Sequence, residues 1–426
     1  MNKELCVFIE INGVQTQVGT ICGSTAADAC FSYDKKYIEG QHPAISISLP
    51  LTDGKFSSER TKNFFEGLLP EGFARKSVAE WIHATEDDYL TILQALGSEC
   101  LGAIRISSDA AEQSGYRELS MDEVRALARE GVTKSTELVT AAHLSLTGAS
   151  GKVGLYYDEQ NGVWYQPIGK AASTHIVKQS HIRHQGIVTN EQLALQTAAA
   201  LGIEIPESCV LNTGNAQDDE VLFATKRYDR QIGDESLFVN GLPSPFRLHQ
   251  EDFAQALGIA SSDKYERDNE RYLPKMFNIL RNYSTDPITD QLKLWDIIVY
   301  DYLIGDTDNH IKNFSLVYSS DLKRMRLAPA YDIISTAIYQ GTSREMAIGI
   351  GGERRLEHIE RKHFESAAID VGLNPKMAMK RFDRLASGFE KALEDAAAGL
   401  LEQGYSNVED IRNRILSPKG FRGKCP

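Results

Sequence analysis

The feature that most constrains the fold is an apolar stretch at 292–304 that ends at a glycine and runs directly into a polar loop. The stretch, "LKLWDIIVYDYLIG", carries apolar side chains on nearly every helical face, which is typical of a buried helix. Gly305 can adopt the left-handed conformation that ends a helix. The loop "GDTDNHIKNF" then concentrates acidic, basic and amide side chains. Because Asp and Asn are also common in ordinary turns, the loop by itself leaves a purely structural role open.

A predicted β-hairpin follows this loop. The segments "FSLVY" (314–318) and "MRLAP" (325–329) flank the turn "SSDLKR". A hairpin returns the chain to its starting point, so we expect Asp308, Asn313 and Asp332 to be neighbours in space.

These three side chains have the chemistry of a phosphoryl-transfer site. Asn313 and Asp332 offer the hard oxygen ligands that Mg²⁺ prefers. Asp308 could accept a proton from a hydroxyl nucleophile, and Lys312 could hold a transferred phosphate. An Asp base, a metal-binding Asn and a later metal-binding Asp are the catalytic scheme of protein kinases.

A glycine-rich segment, "SLTGASGKVGLYYD" (145–158), precedes a predicted strand. Gly148, Gly151 and Gly154 would let backbone amides approach phosphate groups. The segment is not a Walker A motif, because Leu146 and Val153 occupy positions where that motif needs Gly and Ser or Thr. As a plain glycine-rich hairpin it could also be structural.

A lysine on a later strand extends this pattern. "STHIVKQS" places Lys178 at the end of an apolar strand, where it could contact nucleotide phosphates or extend outward from an edge. Glu191, near the start of the next predicted helix, is the candidate partner of this lysine. The order of these features along the chain is that of a protein kinase.

Composition limits the other classes of function. The formal net charge of −13 argues against direct binding to nucleic acid. The six cysteines are widely spaced and form no zinc motif. The sequence contains no uncharged stretch of about 18 residues, so it predicts no membrane span. The N-terminal segment lacks the apolar run of a signal sequence. We therefore expect a cytoplasmic protein.

The predicted elements indicate an α+β chain with a two-lobed, protein-kinase-like fold, in which a mixed α/β N-terminal lobe precedes an all-helical C-terminal lobe. We expect a strand hairpin at Asn12-Gly13, a strand at 44–50, a connection at 107–120, and strands from 139 to 180. Asn190 is the predicted N-cap of the helix "EQLALQTAAALG". The predicted regions are 1–105 (a small α+β subdomain), 106–248 (the lobe with the glycine-rich loop and lysine strand) and 249–426 (the lobe with the catalytic loop and metal-binding hairpin).

The sequence resembles the HipA-type serine/threonine kinases, which are toxins of bacterial toxin–antitoxin systems. The resemblance extends over nearly the whole chain. Its motifs are "FFEGLLPEG", "SLTGASGK", "THIVK", "NEQLALQTAAALG", "KRYDR", "HQEDFAQALG", "GDTDNHIKNFSL" and "APAYDIIS".

The resemblance implies a role for each matching position. Asp308 would be the catalytic base, Asn313 and Asp332 would bind Mg²⁺, and Lys178 would contact ATP. The hinge residues Lys226 and Tyr228, with Gln250, would hold adenine and ribose. We expect His310 to bond to the loop backbone rather than to transfer a proton. The nucleotide-binding set implied is Thr147, Gly148, Ala149, Ser150, Gly151, Lys152, Val153, Lys178, Lys226, Tyr228, Gln250 and His310.

The resemblance also implies regulation and partners. A serine at the start of the glycine-rich loop is autophosphorylated in this family, and Ser145 matches it, with Thr147 as a second hydroxyl. The implied protein substrate is an aminoacyl-tRNA synthetase. The implied partner is a HipB-like helix-turn-helix antitoxin, through which contact with operator DNA would be mainly indirect. The basic stretch at 376–385 could touch DNA in such a complex, or could be a solvated helix face.

The glycine-rich loop departs from the family pattern. Ser150 occupies the position of an expected Gln, and Lys152 lies one place early. These departures keep open a catalytically weak, HipA-like corepressor that acts with a DNA-binding antitoxin, and a small-molecule kinase is a further alternative. Asp306 adds a carboxylate beside the catalytic loop that has no role in the kinase scheme.

Overall fold

A computed structural model describes residues 3–107, 114–130, 132–141, 151–180 and 184–417. The chain divides into two compact units. The first comprises Met1–Gln179, Leu211–Ser261 and Leu316–Met325, and the second comprises Ser180–Val210, Ser262–Ser315 and Arg326–Pro426. The α+β class expected from the sequence is confirmed.

Most of the strands in the described ranges precede residue 260, and the two longest helices follow it. The strands are β1 (Lys3–Ile11), β2 (Val14–Gly23), β3 (Cys30–Tyr33), β4 (Ile104–Ser107), β5 (Ser114–Glu118), β6 (Lys152–Asp158), β7 (Val163–Gly169), β8 (His175–Gln179), β9 (Ser208–Asn212), β10 (Val221–Lys226), β11 (Arg230–Gln231), β12 (Phe238–Val239), β13 (Leu242–Pro243), β14 (Phe246–Arg247), β15 (Gln250–Asp252), β16 (Ser315–Tyr318), β17 (Met325–Leu327), β18 (Glu345–Ile350) and β19 (Glu353–Arg355). The α-helices are α1 (Lys35–Glu39), α2 (Ser58–Phe65), α3 (Gly72–Trp81), α4 (Tyr89–Leu96), α5 (Met121–Glu130), α6 (Val132–Ala141), α7 (Ile187–Ala200), α8 (Phe253–Leu257), α9 (Tyr272–Tyr283), α10 (Pro287–Ile304), α11 (Arg361–Asp370), α12 (Pro375–Glu402) and α13 (Val408–Leu416).

The two largest sheets are built mainly from strands of the first unit. One has the strand order β3-β2-β1-β4, and its β1–β2 hairpin turns at Asn12 and Gly13, which both have positive φ, as the dipeptide predicts. The larger sheet has the order β5-β7-β6-β8-β10-β9. Strand β5 lies in the stretch expected to be only a connection, and α6 extends to Ala141, where strand structure was expected.

The second unit is built mainly of helices around α10. Asp286 caps α10 by accepting a hydrogen bond from the Thr289 amide at 3.3 Å, and Pro287 occupies the first turn. Gly305 ends the helix with φ of 77°, the left-handed conformation expected there. The buried helix and the β16–β17 hairpin predicted from the sequence are both confirmed. The β18–β19 hairpin was not predicted.

Two local predictions were wrong. Residues 44–50 form no strand, although Ser46 and Leu49 make an isolated bridge. Side chains satisfy their backbone instead: the Tyr33 hydroxyl accepts from the Ile45 amide at 3.1 Å, and His249 donates to the Ile45 carbonyl at 2.7 Å. Asn190 is not an N-cap, because α7 begins about one turn before it, at Ile187. The N-cap is Gly186, which has a φ of 75°.

None of the helices in the described part of the chain is both long and apolar enough to span a bilayer.

Candidate functional site

The polar loop after α10 lies in the second unit and exposes a single carboxylate. Asp308 is exposed, whereas residues 304–307 and 309–312 on either side of it are buried. The Asp308 carbonyl accepts hydrogen bonds from the His310 amide at 2.8 Å and from the Asn313 side-chain amide at 3.3 Å. The loop therefore folds around the backbone of Asp308 and presents its side chain to solvent.

Asp306 connects this loop to the segment that contains Asp332. One Asp306 oxygen accepts from the Asp308 amide at 2.9 Å, and the other accepts from the Ile334 amide at 3.0 Å. Burial raises the pKa of Asp306 well above its usual range, and the neighbouring Asp301 raises it further. The carboxylate that had no role in the sequence pattern thus joins the two halves of the predicted site.

Asp332 has an unusual backbone conformation. Its φ is 58°, in the left-handed region that non-glycine residues seldom occupy and that is enriched at functional sites. Tyr331, next to it, donates to the Lys312 carbonyl at 3.1 Å and shares a 2.6 Å hydroxyl hydrogen bond with Ser315. The neighbours of Asp332 are therefore fixed to the loop that carries Lys312.

Asn190, misassigned from the sequence as a helix cap, holds the same segment from α7. Its fully buried amide accepts from the Ser335 backbone N–H at 3.0 Å and donates to the Ser335 carbonyl at 3.1 Å. It also donates to the Tyr339 hydroxyl at 3.1 Å. A buried Asn inside a helix, rather than before it, is the signal that could have identified this role.

His310 and Lys312 are both buried in the loop. The His310 ring packs edge-to-face on Tyr265, with ring centroids 5.2 Å apart. The Tyr265 hydroxyl donates to the Asp308 carboxylate at 2.7 Å. Tyr265 lies 43 residues before Asp308, in a segment whose residue pattern indicates no site.

A pocket of about 480 Å³ opens beside Asp308 within the second unit. Its lining includes Thr307, Thr336, Thr342 and Ser343, whose hydroxyls hydrogen-bond to neighbouring protein atoms. Arg354 also lines it, but this guanidinium is within 3.1 Å of Asp268 and 3.2 Å of Glu345. Because two carboxylates match its charge, Arg354 does little to attract an anion into the pocket.

The first unit contains the predicted phosphate-binding lysines. Lys178 on β8 pairs in register with Lys152 on β6, so both side chains project from the same face of the sheet. The Lys178 ammonium lies 5.3 Å from the centre of the Phe223 ring. Val153 pairs with Val177 and lies on the opposite face, in the core.

Gly151 lies close to the Gln179 side chain, which would have to move to admit a larger residue. A Cβ at this position would lie 1.8 Å from the Gln179 amide nitrogen, closer than any real contact. Ser145, Thr147, Gly148, Ala149 and Ser150 lie outside the described residues, so their predicted roles remain predictions.

The predicted hinge residues divide into two groups. The Tyr228 hydroxyl donates to the Gln250 side chain, and Gln250 donates to Asp229 at 3.2 Å, so two of the predicted residues are in direct contact. The Lys226 ammonium instead pairs with Glu159 at 3.0 Å, and its register with His175 places it on the sheet face opposite Lys178. Glu191 is buried in α7 of the second unit, and its pairing with Lys178 stays a prediction.

A buried ion network supports the hinge, and local sequence patterns did not reveal it. Glu99 accepts from Arg227 at 3.2 Å, Arg230 at 2.9 Å and Arg247 at 2.7 Å. Burial alone would raise the pKa of Glu99, but the three arginines together hold it below its usual range. Asp229 accepts from Arg227 at 2.7 Å in the same cluster.

The basic stretch of α12 is largely engaged within the second unit. Arg381 makes two hydrogen bonds to Asp296 of α10, the first at 2.7 Å, and Arg384 contacts the same carboxylate at 2.9 Å. Lys376 and Lys380 remain exposed. Two of the four cations therefore stabilise helix packing.

Comparison with known proteins gives consistent matches over both ends of the chain. Residues 9–107 match the HipA N-terminal domain, and residues 144–393 match the HipA-like C-terminal domain. The chain is 28% identical over 394 residues to Y4mE of Sinorhizobium fredii, covering 89% of this chain and 90% of that protein. It is 23% identical over 409 residues to the serine/threonine-protein kinase toxin HipA of Shewanella oneidensis, covering 93% of this chain and 90% of that toxin.

A solved structure shares the fold. The complex of Shewanella oneidensis HipA with HipB and operator DNA matches with a TM-score of 0.78, covering 96% of each chain at 21% identity. The C-terminal domain match alone covers more than half of the sequence. The chain therefore belongs to the HipA family.

Proposed function

We propose that the chain is a serine/threonine-protein kinase that acts as the toxin of a toxin–antitoxin system. The observation that carries this proposal is the single exposed carboxylate of Asp308 in an otherwise buried loop, joined through Asp306 to the segment of Asp332. The Shewanella relative that carries the name of a kinase toxin aligns over nearly the full length of both chains.

Asp308 would act as the general base. It would take the proton of a Ser or Thr hydroxyl while that oxygen bonds to the γ-phosphorus of ATP and the bond to the ADP oxygen breaks. The exposure of Asp308 makes it accessible to an acceptor chain. The adjacent pocket, in which the charge of Arg354 is matched by carboxylates, supports a neutral protein hydroxyl as acceptor.

Asn313 and Asp332 would hold Mg²⁺. Within the described ranges no three His, Cys, Asp or Glu side chains form a metal-binding group, so the site would depend on one carboxylate, one amide oxygen and the phosphates of ATP. The fit is supported by Asn313, whose NH₂ group is engaged by the Asp308 carbonyl, leaving its oxygen for another partner. When bound, the ion would neutralise phosphate charge.

ATP would bind through three lysines. Lys152 and Lys178 would contact its phosphates on one face of the sheet, and Lys312 would contact the transferred group. The backbone around Lys226, with Tyr228 and Gln250, would hold adenine and ribose. The buried network around Glu99 supports this assignment because it fixes the backbone of residues 227–230.

We extend the proposal to regulation and partners. Ser145 or Thr147 would be phosphorylated by the chain itself, and the external substrate would be an aminoacyl-tRNA synthetase. A HipB-like antitoxin would bind the chain and carry most contacts with operator DNA, since HipB and operator DNA accompany HipA in the matching structure. The departure at Ser150 favours, as a second candidate, a catalytically weak corepressor.

The test is transfer of label from γ-labelled ATP in the presence of Mg²⁺. We expect label on the purified chain at Ser145 or Thr147, located by mass spectrometry. Asp308→Asn should lower the rate by about 10²-fold or more, the usual contribution of a general base. Asp395→Asn, on the exposed side of α12, is the matched control and should keep the wild-type rate.

The outcomes separate the candidates. Label that persists unchanged in Asp308→Asn would exclude Asp308 as the base. A wild-type chain that binds ATP and a co-expressed helix-turn-helix antitoxin, but transfers no label, would instead support the corepressor.

A further inference from the structure

We propose that Tyr265 is a positioning residue for Asp308 and forms one wall of the site that receives the acceptor hydroxyl. This inference rests on the proposed function, because it takes Asp308 as the base. It starts from the 2.7 Å hydrogen bond between the Tyr265 hydroxyl and one oxygen of the Asp308 carboxylate.

The backbone beside Tyr265 is rigidly held. The Glu266 amide donates to the Ala347 carbonyl at 2.9 Å, and the buried Glu266 carboxylate accepts from the Tyr272 amide at 2.7 Å and the Gly349 amide at 3.1 Å. The Glu266 carbonyl also accepts from Arg354. Tyr265 lies in the loop before α9, and the residue after it is bonded to strand β18 and to the start of α9. The phenol therefore projects from a fixed backbone, although 43% of the Tyr265 residue is exposed.

The ring has a second contact that orients it. The Tyr265 ring packs edge-to-face on the buried His310 ring, with ring centroids 5.2 Å apart. It therefore contacts the same loop that carries Asp308. A ring fixed by His310 at one side and a hydroxyl fixed on Asp308 at the other leaves few orientations for the carboxylate. Hydrogen bonds to charged groups are the stronger ones in proteins, so the phenol is suited to this task.

Tyr265 and Asp308 line the same pocket of about 480 Å³. The phenol therefore stands beside the Asp308 carboxylate at the wall of the pocket through which an acceptor hydroxyl would approach. Its hydrogen bond holds the carboxylate in one orientation toward that hydroxyl. The hydroxyl of Tyr265, rather than its ring, is the part that performs this positioning.

The experiment compares Tyr265→Phe with Tyr265→Leu in the full chain. Phe keeps the packing on His310 and loses the hydroxyl, whereas Leu loses both. We expect both variants to lower the kcat for label transfer by roughly ten- to a hundred-fold, the effect of losing a hydrogen bond to a charged group. The affinity for ATP, measured by titration, should not change. Tyr283→Phe, an exposed tyrosine on α9, is the control and should match the wild type.

The outcomes distinguish this inference from the proposed function. If Asp308→Asn is inactive while Tyr265→Phe keeps the wild-type kcat, the positioning role is wrong and the kinase stands. The same conclusion follows if only Tyr265→Leu is impaired, because the ring would then be the essential part. If the wild-type chain transfers no label at all, the proposed function fails, and this inference fails with it.

Discussion

Asp306 is a buried side chain whose two oxygens accept from two backbone amides 26 residues apart in sequence, those of Asp308 and Ile334. The acidic density of the loop is what led the sequence analysis to this region. The particular task of Asp306 could not be predicted, because its second partner arrives only after the hairpin returns. Asp308, by contrast, was identified from its spacing to Asn313 and the later Asp332.

We predict that Asp306→Asn weakens this connection. The carboxamide can accept from only one of the two amides and turns an NH₂ group toward the other. A buried amide without an acceptor costs about 1–3 kcal/mol. Hydrogen exchange should therefore accelerate at Asp308 or Ile334, and label transfer should fall.

Asp395→Asn is the control for this prediction, since its side chain pairs with Lys391 on an exposed helix surface. Unchanged exchange at both amides in Asp306→Asn would show that the carboxylate does not hold the two segments together.

Elements were predicted best where the sequence pattern and the burial agree. Helix α10 and the β16–β17 hairpin follow their apolar patterns and turn residues. The stretch 44–50 alternates like a strand but has no strand partner along its length, because Tyr33, His249 and Glu251 satisfy its backbone. Such side-chain partners are distant in sequence, so local pattern could not reveal them.

Glu251 on β15 links this stretch to β16 within the first unit. It accepts from the Ser46 hydroxyl at 2.5 Å, the Ile47 amide at 3.2 Å and the Tyr318 hydroxyl. Burial, opposed by these hydrogen bonds, raises the pKa of Glu251 to about 7. At a pH between the ordinary carboxyl pKa and about 7, Glu251 is therefore protonated in the folded chain and ionised in the unfolded chain.

We predict a resulting pH dependence of stability. The folded pKa is raised, so the contribution of Glu251 is present below the unfolded pKa and is lost as the pH rises toward about 7. Relative to Glu251→Gln, the wild-type free energy of unfolding should fall by about 2–3 kcal/mol between pH 5 and pH 8. Denaturant unfolding at both pH values measures this. Parallel pH curves for the two proteins would contradict it.

At the scale of the whole molecule, the Glu99 network connects the segment that matches the HipA N-terminal domain to arginines of the segment that matches the C-terminal domain, all within the first unit. The division at residues 105 and 248 predicted from the sequence remains a prediction. The network nevertheless shows that Glu99, near the first of these boundaries, is paired with arginines of residues 227–247.

We predict that Glu99→Gln strongly destabilises the chain. Three buried guanidiniums would lose the carboxylate that they share, and breaking a buried ion pair from one side costs about 3–5 kcal/mol. Thermal and denaturant unfolding would measure the loss, with the exposed Glu118→Gln on β5 as control. Equal stability of the two variants would mean that the carboxylates of Asp229 and Glu10 are enough to balance the positive charge of the three arginines.

The sequence by itself determined the family resemblance, the α+β class, the buried α10, the hairpin and the choice of Asp308, Asn313 and Asp332, because these depend on local periodicity and on motif spacing. The hydrogen-bond partners of Asp306, Asn190, Tyr265 and Glu99 were decided only by the tertiary structure. Each of these side chains has at least one partner more than 20 residues away, and a hydrogen bond across such a distance depends on how packed elements meet. Local residue patterns do not specify which distant elements pack together.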